Sequence, residues 1–186
     1  MTTATWIILI IAVAAIILAV AMAWMAQKTR RLRARFGPEY DYLVQQRGNA
    51  ARAEKELQYR ARRVEKFQLH PLTEAETDRF ATAWREAQAR FVDDPRGAVA
   101  EADRLVRQAM EASGYPAGEV FEQNAADLSV EHPVVVEHYR AAHALAQKDS
   151  RGEANTEDLR AALKHYRELF EDLLKRPVTA YGEVNR

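Results

Sequence analysis

Hydrophobic and polar positions divide this chain sharply near its start. From Trp6 to Ala26 there are 21 successive residues without a charge, mostly Ile, Leu, Val and Ala. A helix over this run spans about 31 Å, close to the hydrocarbon thickness of a bilayer. Trp6 and Trp24 stand at its two ends, where indole rings favour headgroup depth. The pattern predicts a transmembrane helix over 6–26, preceded by a short extracytoplasmic N-terminus, 1–5.

From 27 to 68 the pattern predicts a basic, helical juxtamembrane stretch. Gly37-Pro38 interrupts it, because glycine is a poor helix interior and proline suits the first turn of a new helix. Gly48-Asn49 predicts a second break. Beyond it Ala53, Leu57, Val64 and Phe67 recur at helical spacing, with Arg60 on the same seam. A heptad survives for little more than two repeats, too short to establish a coiled coil. The stripe either lies along the downstream domain or supports self-association through residues 50–68.

From 69 to 176 amphipathic helices follow one another. Thr73-Glu-Ala-Glu76 has the form of a capping box, opening a helix whose apolar face holds Phe80, Trp84, Ala87 and Phe91. Asp94-Pro95 predicts an N-cap and first helical residue for the next, with Ala98, Ala102, Leu105, Val106, Ala109 and Met110 inward. Ser113-Gly114-Tyr115-Pro116 closes that helix. A short helix is expected over 118–127, and Ser129 is read as the cap of a third long helix carrying Val135, Tyr139, Ala142 and Ala146. Thr156 opens the last, with Leu159, Leu163, Tyr166, Phe170, Leu173 and Leu174 on one face. Arg176-Pro177 ends it, leaving a flexible tail over 177–186. No segment alternates with period two, so the fold class is all-α: a transmembrane helix, a juxtamembrane helix and an antiparallel bundle of about four helices.

Charge changes the picture by fixing an orientation. The chain is neutral overall, yet residues 28–68 hold 12 Lys/Arg against 5 Asp/Glu and the remainder carries the balancing excess of acid. Lys28, Arg30, Arg31, Arg33 and Arg35 follow the apolar run at once. Cations at the end of a span resist translocation and favour anionic headgroups, which places the bundle in the cytoplasm and the N-terminus outside. Ala21-Met22-Ala23 has the small-x-small form of a signal-peptidase site. Its surroundings argue against cleavage, since no basic n-region precedes it and the apolar run exceeds a signal's. Cleavage would make this an exported envelope protein. The folded part is acidic, so no nucleic-acid partner is expected; the expected partners are anionic lipid headgroups and an unidentified protein.

Candidate chemistry is sparse. There is no cysteine, which removes disulfides and thiolate chemistry. No His-Glu-x-x-His, Glu-x-x-His, phosphate-cradling glycine loop or Gly-x-Ser-x-Gly elbow occurs. His138-Tyr139-Arg140 and His165-Tyr166-Arg167 repeat a tripeptide. Both tyrosines fall on apolar faces, so His138, Arg140, His165 and Arg167 are expected beside the core without converging, as binding candidates only. Asp94-Pro95-x-x-Ala98 suggests a tetratricopeptide repeat, but the helices are too long and no second copy follows. No catalytic residue, metal ligand or cofactor is assigned, and a small helical enzyme near the membrane is the rival to an interaction or scaffold module.

Arg35-Phe-Gly-Pro-Glu-Tyr-Asp41, Arg90-Phe-Val-Asp-Asp-Pro95 with Glu101-Ala-Asp-Arg-Leu-Val106, Gly114-Tyr-Pro116 and His165-Tyr-Arg-Glu-Leu-Phe170 carry a resemblance. Together they resemble a group of uncharacterised bacterial single-pass membrane proteins with no assigned activity. That resemblance implies a bacterial plasma (inner) membrane protein with a helical C-terminal domain, and it implies no mechanism.

Overall fold

The computed structural model describes residues 3–118 and 120–175. Those residues form eight helices and no strand: α1 (Thr3–Phe36), α2 (Pro38–Arg47), α3 (Ala50–Val64), α4 (Glu74–Arg90), α5 (Pro95–Ala112), α6 (Phe121–Glu131), α7 (Val136–Ser150) and α8 (Thr156–Lys175). The stop at Arg176-Pro177 and the tail over 177–186 lie outside the described residues, as do positions 1 and 2; Thr3 to Thr5 already belong to α1.

Helix α1 has 34 residues, about 51 Å of rise, and is the one described helix long and apolar enough to cross a membrane. Its apolar section touches no other part of the chain: Ile10, Ile11, Ile16, Ile17, Leu18 and Val20 are each 61–65% exposed. An uncovered apolar surface of this size marks a region that meets a membrane or another partner. The helix continues through the basic cluster without a break and ends with Phe36 fully buried. Gly37 turns the chain at φ +46°, a conformation that L side chains rarely adopt, and Pro38 starts α2.

Residues 27–68 build a small folded layer. Asn49 caps α3, its side-chain oxygen accepting from the Ala51 and Arg52 amides. The expected stripe of α3 is spent within the chain: Ala53, Leu57, Ala61 and Val64 close on Phe36, Tyr40 and Leu43, with Val130 of α6 completing the cluster. Each fully buried Leu or Phe there contributes about 1.5–3 kcal/mol.

The larger core joins two helical hairpins, α4–α5 and α7–α8, through the contact of α5 with α8. Thr73 forms its capping box with Glu76, and Asp94 caps α5 by accepting from the Gly97 amide. Trp84 stacks on Phe170 at 4.6 Å between centroids, and Phe80 meets the same ring edge-on. Phe67 and Leu69 lie against both cores and tie them together. At Gly114 the chain passes so close that a Cβ would sit 2.3 Å from the Gln68 carbonyl oxygen.

One stretch departs from the sequence expectation. The short helix runs over Phe121–Glu131, and Ser129 is buried inside it, donating to the Ala126 carbonyl, so it caps nothing. The third long helix starts at Val136. Pro133 is the cause: it disfavours helical backbone at its predecessor, and His132 breaks the helix at φ −122°, ψ 49°.

Candidate functional site

The second half of α1 joins the apolar run to the folded part. Trp6 and Trp24, the expected interfacial indoles, are both exposed. Lys28 is half-buried while Arg30 and Arg31 are exposed, and none of the three pairs with a carboxylate among the described residues. Arg33 and Arg35 pair with the folded part: Arg33 bonds Asp41 at 3.0 Å on the surface beside the Tyr40 ring, and Arg35 lies 3.9 Å from Glu131 of α6. The five-cation flank therefore divides into three charges left for the surroundings and two engaged by the domain.

Glu54 of α3 gathers two hydrogen bonds, one from α1 and one from α2. Thr29 Oγ1 donates to Glu54 Oε1 at 2.6 Å, and the Tyr40 hydroxyl donates to the same oxygen at 3.2 Å. Burial, then the Glu54 charge, holds the Tyr40 phenol above its ordinary pKa.

Behind this layer Glu39 forms a buried ionic junction. Its side chain is 1% exposed. Arg140 of α7 grips it with both terminal nitrogens, at 2.7 and 2.8 Å, and Arg60 of α3 donates to it at 2.8 Å. Arg60 also reaches Ser129 of α6 and Glu56, while the Arg140 guanidinium lies 4.1 Å from the Tyr42 ring centroid. Burying a carboxylate is costly unless it is paired and hydrogen-bonded in this way. Nearby, Arg63 of α3 bonds Asp127 of α6 at 2.9 Å, and Asp127 also accepts from Gln123. The charged contacts thus bind α2 and α3 to α6 and α7, fixing α1's orientation on the bundle.

The repeated tripeptide behaves differently at each position. Tyr139 and Tyr166 are core residues packed edge to face, with the Tyr166 hydroxyl donating to Asp103 at 3.0 Å. Burial, then the Asp103 charge, pushes Tyr139 up to about 12 and raises Tyr166 further. His138 and His165 do converge, contrary to the sequence expectation, with their Nδ1 atoms 2.9 Å apart across α7 and α8. One ring must donate and the other accept. Burial, then the neighbouring His138, keeps His165 below the ordinary histidine pKa. Arg140 leaves this pair for Glu39, and Arg167 pairs with Glu171 on its own exposed helix face.

Among the described residues no group of three or more His, Cys, Asp or Glu side chains is arranged to hold a metal. A groove of about 180 Å³ lies between α2 and α7, lined by Pro38, Glu39, Tyr42, Pro133, Val136, Glu137 and Arg140; neither paired histidine lines it. The Glu39 junction was not recognised from sequence. Its signal was Arg60, a cation inside an apolar stripe, which calls for a buried carboxylate partner. Comparison of the chain with family models, curated proteins and solved structures finds no match.

Proposed function

We propose that this protein is a membrane-anchored helical interaction or scaffold module whose bundle lies in the cytoplasm beneath a plasma membrane. One observation carries the reading: a single unbroken helix runs from an uncovered apolar span, past the unpaired cations Lys28, Arg30 and Arg31, to the buried Phe36 of the domain. The anchor and the folded part share a helix, and the cations stand where the chain leaves the hydrocarbon. Cations in that position favour the side from which they were not translocated. A cut after Ala23 would export all five cations and leave Trp24–Phe36 as the new N-terminal helix. The Glu39 junction and the Arg63–Asp127 pair support a domain held at a set angle to the bilayer, as a docking platform requires.

The test is a pair of reporters fused after Arg186, one active only outside the membrane and one only inside. The inside reporter is expected to be active on a full-length, uncleaved chain. Activity of the outside reporter would overturn the orientation, and a shortened chain would overturn the anchor. Crosslinking of the full-length protein before purification in mild detergent is expected to recover a stoichiometric protein companion; a partnerless monomer would remove the interaction reading.

A further inference from the structure

Trp24, Gln27, Lys28 and Arg31 are spaced along one face of α1, at intervals of three, one and three residues. With Leu32 of the same helix and Gln58 of α3 they line an open groove of about 220 Å³. Its charged lining is entirely cationic. The Gln58 amide nitrogen is buried and has no hydrogen-bond partner. An unmet buried donor is costly and calls for an acceptor. Glu54, one turn away on α3, does not supply it; its Oε1 accepts from Thr29 and Tyr40 instead.

We propose that this groove binds the phosphate group of one anionic phospholipid. This rests on the reading of α1 as a membrane anchor. The phosphate lies between Lys28 and Arg31, and a rotation of the Gln58 side chain brings its unpartnered amide nitrogen out to donate to it, while the acyl chains follow the apolar face of α1 past Trp24. The depth is appropriate, since Lys28 is one helical turn beyond the indole that marks the interface. Free inorganic phosphate offers the same oxygens but no acyl chains, and the α1 surface above the groove is apolar. A lipid phosphodiester is therefore the occupant. The groove distinguishes Arg31, which lines it, from Arg30, which is equally cationic and does not.

The test uses full-length protein in mild detergent and native mass spectrometry, with added phosphatidylglycerol, phosphatidylcholine or inorganic phosphate. One phosphatidylglycerol per chain is expected to be retained in preference to phosphatidylcholine, and inorganic phosphate is not. Lys28→Ala and Arg31→Ala should each weaken retention about fivefold, the effect of one cation at a headgroup. Gln58→Glu, which places an anion against the phosphate, should weaken it at least about tenfold. Arg30→Ala, a cation outside the groove, should weaken retention less than Arg31→Ala. Equal losses for Arg30→Ala and Arg31→Ala, no effect of Gln58→Glu in a variant that unfolds at the wild-type temperature, or equal binding of inorganic phosphate would overturn the site. Flotation with phosphatidylcholine vesicles separates the two claims. If wild-type protein fails to float, both anchor and site are wrong; if it floats but shows no phosphatidylglycerol preference, only the site is wrong.

Discussion

Replacing Glu39 by Gln tests the junction that ties α2 and α3 to the bundle. The substitution keeps the shape and removes the charge. Arg60 and Arg140 are then left with side chains only 8% and 17% exposed and without their shared counter-ion; Arg60 retains Glu56, and Arg140 has no other carboxylate. Stranding a buried charge in this way costs about 3–5 kcal/mol. That is a large share of the roughly 5–15 kcal/mol that holds a domain together. Arg140→Met should cost less than Glu39→Gln, because Glu39 keeps Arg60. A triple Glu39→Leu, Arg60→Met, Arg140→Met variant should recover most of the loss, since an apolar replacement leaves no charge to solvate. Urea unfolding of the full-length protein in mild detergent measures the total. Hydrogen exchange locates it, with α2 and α3 amides expected to exchange about a hundredfold faster in Glu39→Gln, as 3 kcal/mol implies. A Glu39→Gln variant within about 0.5 kcal/mol of wild type would refute the reasoning. So would a triple variant whose loss equals the sum of the single ones.

Three further outcomes follow from other parts of the fold. Phe170→Ala removes the ring that stacks on Trp84 and meets Phe80, and should cost about 3–5 kcal/mol with a red shift of tryptophan emission, read by thermal unfolding and fluorescence. Burial keeps His143 and His165 below their ordinary value of 6.5 in the folded chain, so the unfolded chain binds more protons just below that pH. Stability should fall as pH drops through 6.5 and level off below the native pKa values; calorimetry should show a flatter pH profile for the double variant His143→Gln, His165→Gln. Gly114→Ala combines φ +88° with a 2.3 Å approach to the Gln68 carbonyl and should cost about 2 kcal/mol, with faster proteolysis across residues 65–72.

Features encoded within a few residues were legible in the sequence. The Thr73–Glu76 box, the Asp94-Pro95 start and the Gly37-Pro38 and Gly48-Asn49 breaks are set by residues within a turn of one another. The all-helical class and the apolar helix followed from periodicity and length. Ser129 misled because a hydroxyl before an apolar run has the form of a cap, whereas Pro133 controlled where the helix ended. The Glu39–Arg140 contact joins positions 101 apart, and the His138–His165 contact depends on how α7 and α8 rotate against each other. Neither is encoded in spacing along one helix. The Gln58 donor likewise acquires meaning only when α3 lies beside α1.

The most direct measurement of the anchored, cytoplasmic arrangement uses the absence of cysteine from the chain. Single cysteines are introduced at Thr2, before the span, and at Ser150, on the exposed end of α7. Intact cells are then treated with a membrane-impermeant thiol reagent, with lysed cells as the reference. Thr2→Cys is expected to react in intact cells, and Ser150→Cys only after lysis, with both chains remaining in the membrane fraction after alkaline extraction. Labelling of Ser150→Cys in intact cells, or release of the protein on extraction, would contradict the arrangement.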